Sequence, residues 1–118
     1  MPKTLKEAKE KYDDKQLSSN GILPWYMEEL YDKLVKAFKD KRKTEILFIA
    51  ADFGHYMGDA HMPLHTTDNH DGQKTGQKGI HALWEAQLAE MFGNNFNMNA
   101  GSAKQIDHIH NEIWRIIY

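Results

Sequence analysis

His55 and Asp59 are four residues apart, and His81 and Glu85 repeat that spacing. On a helix, side chains at i and i+4 stand one above the other on the same face. Each pair therefore offers one imidazole nitrogen and one carboxylate oxygen to the same ion. His65, just past the helix-breaking Pro63, adds a further imidazole. A set of nitrogen and oxygen ligands without thiolate suits Zn²⁺, and ligand type alone also admits Mn, Fe, Co or Ni. Taken by itself, His55–Asp59 reads better as an internal hydrogen-bonded pair. Pro63-Leu64-His65 and His81-x-x-x-Glu85 turn the balance towards a metal.

Helices must position these groups. Hydrophobic spacing predicts a helix from Pro24 to about Asp40, with Trp25, Leu30, Tyr31, Leu34, Ala37 and Phe38 on its apolar face. A central helix is predicted over about 45–62, capped by Thr44. Ile46, Leu47, Ile49, Ala50, Phe53 and Met57 leave it little polar surface, which predicts burial on all sides. Asp52, His55 and Asp59 share a stripe of that helix and need partners if buried. Asp52 is expected to accept from the His55 imidazole. Gly54 and Gly58 suggest a close helix approach or room beside a metal. His61 is expected to line the site without ligating.

Residues 66–79 form a polar, glycine-containing loop between ligand segments, of the kind that carries function. His70 is read as a solvent-facing loop residue. A helix over about 79–92 carries His81 and Glu85, with Leu83, Trp84, Leu88 and Met91 as apolar contacts. Residues 3–16 read as a solvated first helix, ended by Ser18-Ser19-Asn20-Gly21. A last helix from near Ser102 has Ile106, Ile109, Ile113, Ile116 and Ile117 as its stripe, with His108 and His110 at the surface. Lys39–Lys43 is a basic stretch, read as a solvated connector with cations at a helix end. The fold class is thus all-α, a compact bundle of about four to five helices in a single domain, 1–118.

Composition sets bounds on function. The chain has 118 residues, 41% hydrophobic, which suits one small domain with a modest core. Its formal charge of −2 gives no strong attraction to nucleic acid or anionic membrane. Without cysteine there is neither a disulfide framework nor a thiolate metal site. No run approaches a transmembrane span, and the N-terminal residues lack the apolar core of a signal peptide.

The ordered segments HYMGDAHMPLHTTDNHDG and GIHALWE carry His-x-x-x-Asp, Pro-Leu-His and His-x-x-Trp-Glu in sequence. This pattern resembles the zinc-dependent phospholipase C and S1/P1 nuclease superfamily. Gly21-Ile22-Leu23-Pro24-Trp25 is also similar to bacterial members. Glu85, closing the last motif, resembles the phospholipase C branch. The resemblance implies a phospholipase C/P1 nuclease-like helical fold and hydrolysis of phosphodiester bonds by a cluster of up to three zinc ions. It implies that His65, His81 and Glu85 form one complete zinc ligand set. It places His55 and Asp59 at a close zinc pair, with Asp59 bridging as the catalytic metal ligand. The substrate would be a phospholipid or a nucleic acid. The family is largely secreted or periplasmic, and localisation of this chain is not set by its sequence.

The resemblance covers most of residues 2–92, the middle of a typical member. The family's other ligands lie upstream, beginning with an N-terminal tryptophan that uses its own α-amine. Here no histidine precedes His55, and Trp25 is internal. The expectation is a member lacking its N-terminal part, with one full zinc site and impaired activity. Exposed apolar surface would favour self-association. The alternatives are a non-catalytic zinc-binding helical module and an S1/P1-type nuclease; a helical interaction domain with incidental histidines is the blandest reading.

Overall fold

Asp13 divides the charged N-terminal segment. Its carboxylate accepts from the Gln16 backbone N–H at 2.7 Å, and Gln16 Oε1 accepts from the Asp13 N–H at 3.1 Å. This capping box starts a new helix where one continuous helix was expected. The computed structural model describes residues 2–118 and gives α1 (Leu5–Lys11) and α2 (Asp14–Asn20). Gly21, at φ 81°, stops α2. Pro24 lies in the first turn of α3 (Leu23–Lys39), where its missing N–H costs nothing. Lys41 at φ 55° then closes α3, with its N–H donating to Phe38 O and that of Arg42 to Ala37 O. This double closure is a Schellman motif.

Helix α4 (Lys43–His61) follows without a side-chain cap, so Thr44 is its second residue and not its cap. The next helix, α5, is one run made of Ile80–Ala82, a π-helical turn at Leu83–Gln87, and Leu88–Phe92. Short 3₁₀ turns lie at Pro63–Thr66 and Gly93–Asn95. Helix α6 spans Ile109–Ile117, starting later than the spacing of Ile106 predicts. The chain is all-α, and no strand forms among the described residues. No helix among them is long and apolar enough to cross a membrane.

The helices belong to two compact units. One comprises the segment ending at Met62 together with His108–Tyr118; the other is Pro63–Asp107. In the first, Met27 of α3, Ala60 of α4 and Ile113 of α6 are buried together, with Leu23, Phe53, Tyr56, Met57 and Ile116 packed around them. Edge-on aromatic pairs extend this core: Trp25–Trp114 at 5.8 Å and Tyr26–Tyr56 at 5.2 Å between centroids. The Trp25 indole N–H donates to Lys3 O, tying the N-terminal segment to α3.

Burial corrects several expectations. The central α4 is not enclosed: Leu47 and Phe48 point to solvent, and Ala60 is its one buried residue. Phe53, Tyr56, Met57 and Ala60 pack into the core and Ile46 and Ile49 are half-buried, so general apolarity predicted more cover than the partners provide. On α3, Met27 is buried, whereas Phe38 and Tyr31 are exposed. Met27 falls on the stripe of Leu23, Leu30 and Leu34, which was the available signal. A Cβ at Gly54 or Gly58 meets open space, so neither glycine is needed for close packing. In the second unit, Leu83, Trp84 and Met91, expected to supply the apolar contacts of their helix, are exposed.

Candidate metal centre

The loop before α5 folds on itself before it positions any ligand. The Asn69 side chain accepts from the Lys74 N–H at 2.7 Å and donates to Thr75 Oγ1 at 3.1 Å. Gln73 accepts from the Asp71 N–H at 2.9 Å and donates to Asp68 O at 2.8 Å. Lys74 pairs with Asp68, and its ammonium holds the Asp68 carboxyl below its ordinary value, first by hydrogen bonding and then by charge. Gly72, at φ 70°, is required here, because a Cβ would collide with the Gln77 carbonyl.

This loop delivers Asp71 to the start of α5. Its Oδ1 accepts from the Gly79 N–H at 3.0 Å and the His81 N–H at 3.4 Å. Two of the N–H groups that a helix start leaves without intrahelical partners are thereby engaged. His81 is fixed at its backbone, and Glu85 follows within the π turn. Such π turns recur at functional sites because they realign side chains along a helix.

His65 is supplied by the 3₁₀ turn that Pro63 begins. His65 Nε2 lies 3.1 Å from His81 Nε2, and His81 Nε2 lies 2.9 Å from Glu85 Oε2. The third side of the triangle, His65 Nε2 to Glu85 Oε2, is 3.8 Å. The His65 and His81 side chains are 24% and 26% exposed, and Glu85 is 52% exposed. The donor set is therefore sheltered on its imidazole side and open on its carboxylate side.

These separations fit a metal. Ligand atoms about 2.0–2.1 Å from a tetrahedral zinc stand about 3.3 Å from each other. The three distances here fall on both sides of that value. A hydrogen-bonded cluster uses the same atoms less well. A single N–H on His81 Nε2 cannot serve the Glu85 carboxylate and the His65 lone pair together at full strength. One cation facing all three satisfies them at once.

His55 and Asp59 belong to the other unit and form their own contact on α4, with His55 Nε2 3.6 Å from Asp59 Oδ2. His55 is largely exposed, and its ring stands edge-on to Tyr56 at 5.3 Å. Asp52 is exposed and makes no hydrogen bond to His55, which corrects its expected role. The His61 Nδ1–H donates within its own helix, to Met57 O at 2.8 Å.

Two histidine roles lay beyond sequence reasoning. His70 stands edge-on to His81, with ring centroids 6.4 Å apart, and contacts Gln73. His110, expected at the surface, is partly buried and sits 2.6 Å from Glu28 Oε1, linking α6 to α3. Those partners are 82 residues apart in the chain, so no local pattern marks them.

The chain matches no family model, no curated protein and no solved structure in comparisons with each.

Proposed function

We propose that His65, His81 and Glu85 bind a divalent metal, best Zn²⁺, and that the chain is a phospholipase C-like hydrolase of phosphodiester bonds. The observation that carries this reading is the convergence of three ligand atoms from two segments. Its chemical direction comes from the motif resemblance of His55 through Glu85. Three protein ligands leave a coordination position open, as in catalytic zinc sites, whereas structural sites are closed by four.

Bound there, the metal would polarise a phosphoryl oxygen and lower the pKa of water. The chain's own contribution is positional. Asp71 fixes the backbone of His81, and the π turn brings Glu85 beneath it. Both imidazoles present Nε2 to the same point. The exposed side of Glu85 leaves a path for a substrate to approach. A lipid phosphodiester is favoured over nucleic acid, because Glu85 follows the phospholipase C form of the motif and the net charge is −2.

A second reading has a specific observation in its favour. Among the described residues, His65, His81 and Glu85 are the one group of three side chains able to hold an ion. A family mechanism that uses up to three ions finds one ligand set here, which favours a non-catalytic zinc module.

The experiment is elemental analysis of the zinc-loaded chain and of His81→Ala, alongside hydrolysis of phosphatidylcholine and bis(4-nitrophenyl) phosphate. One zinc per chain, lost with His81→Ala, together with zinc-dependent turnover, supports the hydrolase. The same binding without turnover leaves the zinc module. Equal zinc in both proteins overturns the ligand assignment.

A further inference from the structure

The closed end of the α3–α4 hairpin combines two kinds of surface. Phe38, Leu47 and Phe48 are 59%, 74% and 71% exposed, so three large apolar side chains face water. They bracket Lys39, Lys41, Arg42 and Lys43, and Lys36 lies one turn before the end of α3. Lys43 and Phe48 are about 7.5 Å apart along the axis of α4 at 1.5 Å per residue. The apolar and cationic groups therefore share the tip of the hairpin.

Arg42 pairs with Asp40 at 3.3 Å and with Glu45 at 2.5 Å, and the segment 36–48, with five Lys and Arg against these two acids, carries a net charge of +3. Lys36, Lys39, Lys41 and Lys43 are exposed and make no ion pair among the described residues. The Schellman closure places Lys41 at the apex, in a conformation that glycine usually occupies. Four exposed lysines outside any ion pair thus lie between and beside three exposed apolar side chains at this turn.

We propose that this tip, Phe38 to Phe48 with Lys36, docks the protein on an anionic phospholipid surface. The lysines would meet lipid phosphates and carboxylates while Phe38, Leu47 and Phe48 enter the boundary between headgroups and acyl chains. Charge selects this occupant. A second copy packed across a twofold axis would set the same four lysines against their equivalents. A soluble polyanion without apolar groups would engage the lysines and leave Phe38, Leu47 and Phe48 in water, and a single-stranded nucleic acid, whose bases can stack on Phe38 and Phe48, would leave the aliphatic Leu47 without a matching partner. Membrane docking does not depend on the metal reading, since none of these residues is a proposed ligand.

The test is co-sedimentation with vesicles of phosphatidylcholine alone or with 30% phosphatidylserine, in EDTA and at two salt concentrations. Two variants accompany the native chain: Lys39→Gln with Lys41→Gln and Lys43→Gln, and Leu47→Ser with Phe48→Ser. Circular dichroism establishes that each is folded, and all five positions are on the surface. The expected result is binding to the serine-containing vesicles only, weakened by salt. The lysine variant should lose roughly 100-fold in affinity, and the apolar variant about tenfold. No binding, equal binding to both vesicles, or unchanged affinity in both variants overturns the proposal. So does a dimer that Leu47→Ser with Phe48→Ser dissociates while vesicle binding is absent. Because EDTA is present throughout, failure here is separate from failure of the zinc site.

Discussion

His65 Nε2 and His81 Nε2 lie 3.1 Å apart although sixteen residues separate them in the chain. Two imidazoles at this distance must share their polar edge. Either one donates an N–H to the other's lone pair, or both lone pairs face a cation. Glu85 Oε2, at 2.9 Å from the same His81 nitrogen, adds negative charge and favours the cation. The polar loop holds this arrangement, and its parts can be tested separately.

Asp71 is predicted to act on the site through the backbone. Asp71→Ala removes the acceptor for the Gly79 and His81 N–H groups. By analogy with a lost helix cap, the cost is about 1 kcal/mol. Zinc affinity by competition with a chromophoric chelator should fall, while Asp71→Asn, which keeps an oxygen, should fall less. Equal loss in both variants would argue against the cap.

Gly72 is predicted to tolerate no side chain. Its φ of 70° and the adjacent Gln77 carbonyl both oppose a Cβ. Gly72→Ala should destabilise the loop by about 1–3 kcal/mol from the backbone conformation alone, with the collision adding to it. Amide hydrogen exchange over residues 67–79 should quicken. Native-like protection in this variant would mean that the turn is not required.

Metal removal should affect the two units unequally. The buried apolar residues, from Ala8 and Leu17 through Met27 to Ile113, all belong to the first unit. Pro63–Asp107 is held by the hydrogen bonds of its loop and by contacts within α5. A metal at about 100 times its Kd would add about 2.7 kcal/mol to such a unit. Limited proteolysis in EDTA should therefore cut within 63–107 first and leave the first unit protected. Identical cleavage with and without zinc would show that the ion does not stabilise this segment.

The Asp68–Lys74 pair gives the loop a dependence on acid. The lysine lowers the folded carboxyl below its ordinary value, so the unfolded chain takes up the proton first. The pair's contribution is full above the ordinary carboxylate value and is lost as pH falls through the lowered one. Both groups are exposed, so water screens the effect and keeps it small. In a carboxyl-detected NMR titration, Lys74→Gln should move the Asp68 midpoint upward. An unmoved midpoint would show that the pair does not form in solution.

The sequence by itself determined the local features of this protein. Pro24 and Gly21 mark the start of α3 and the end of α2, and the i, i+4 spacing brings His81 to Glu85. These features depend on backbone geometry within a few residues, which residue identity controls directly. The break between α1 and α2 was also written locally, as Asp13 and Gln16. Tertiary structure alone decided where distant segments meet. It set His65 against His81, joined His110 to Glu28, and left Leu47 and Phe48 of an apolar helix in water. Periodicity defines the faces of a helix but not which neighbours cover them. That choice depends on the path of the chain between helices, which for His65 and His81 is a loop shaped by Gly72, Asp71 and Asn69.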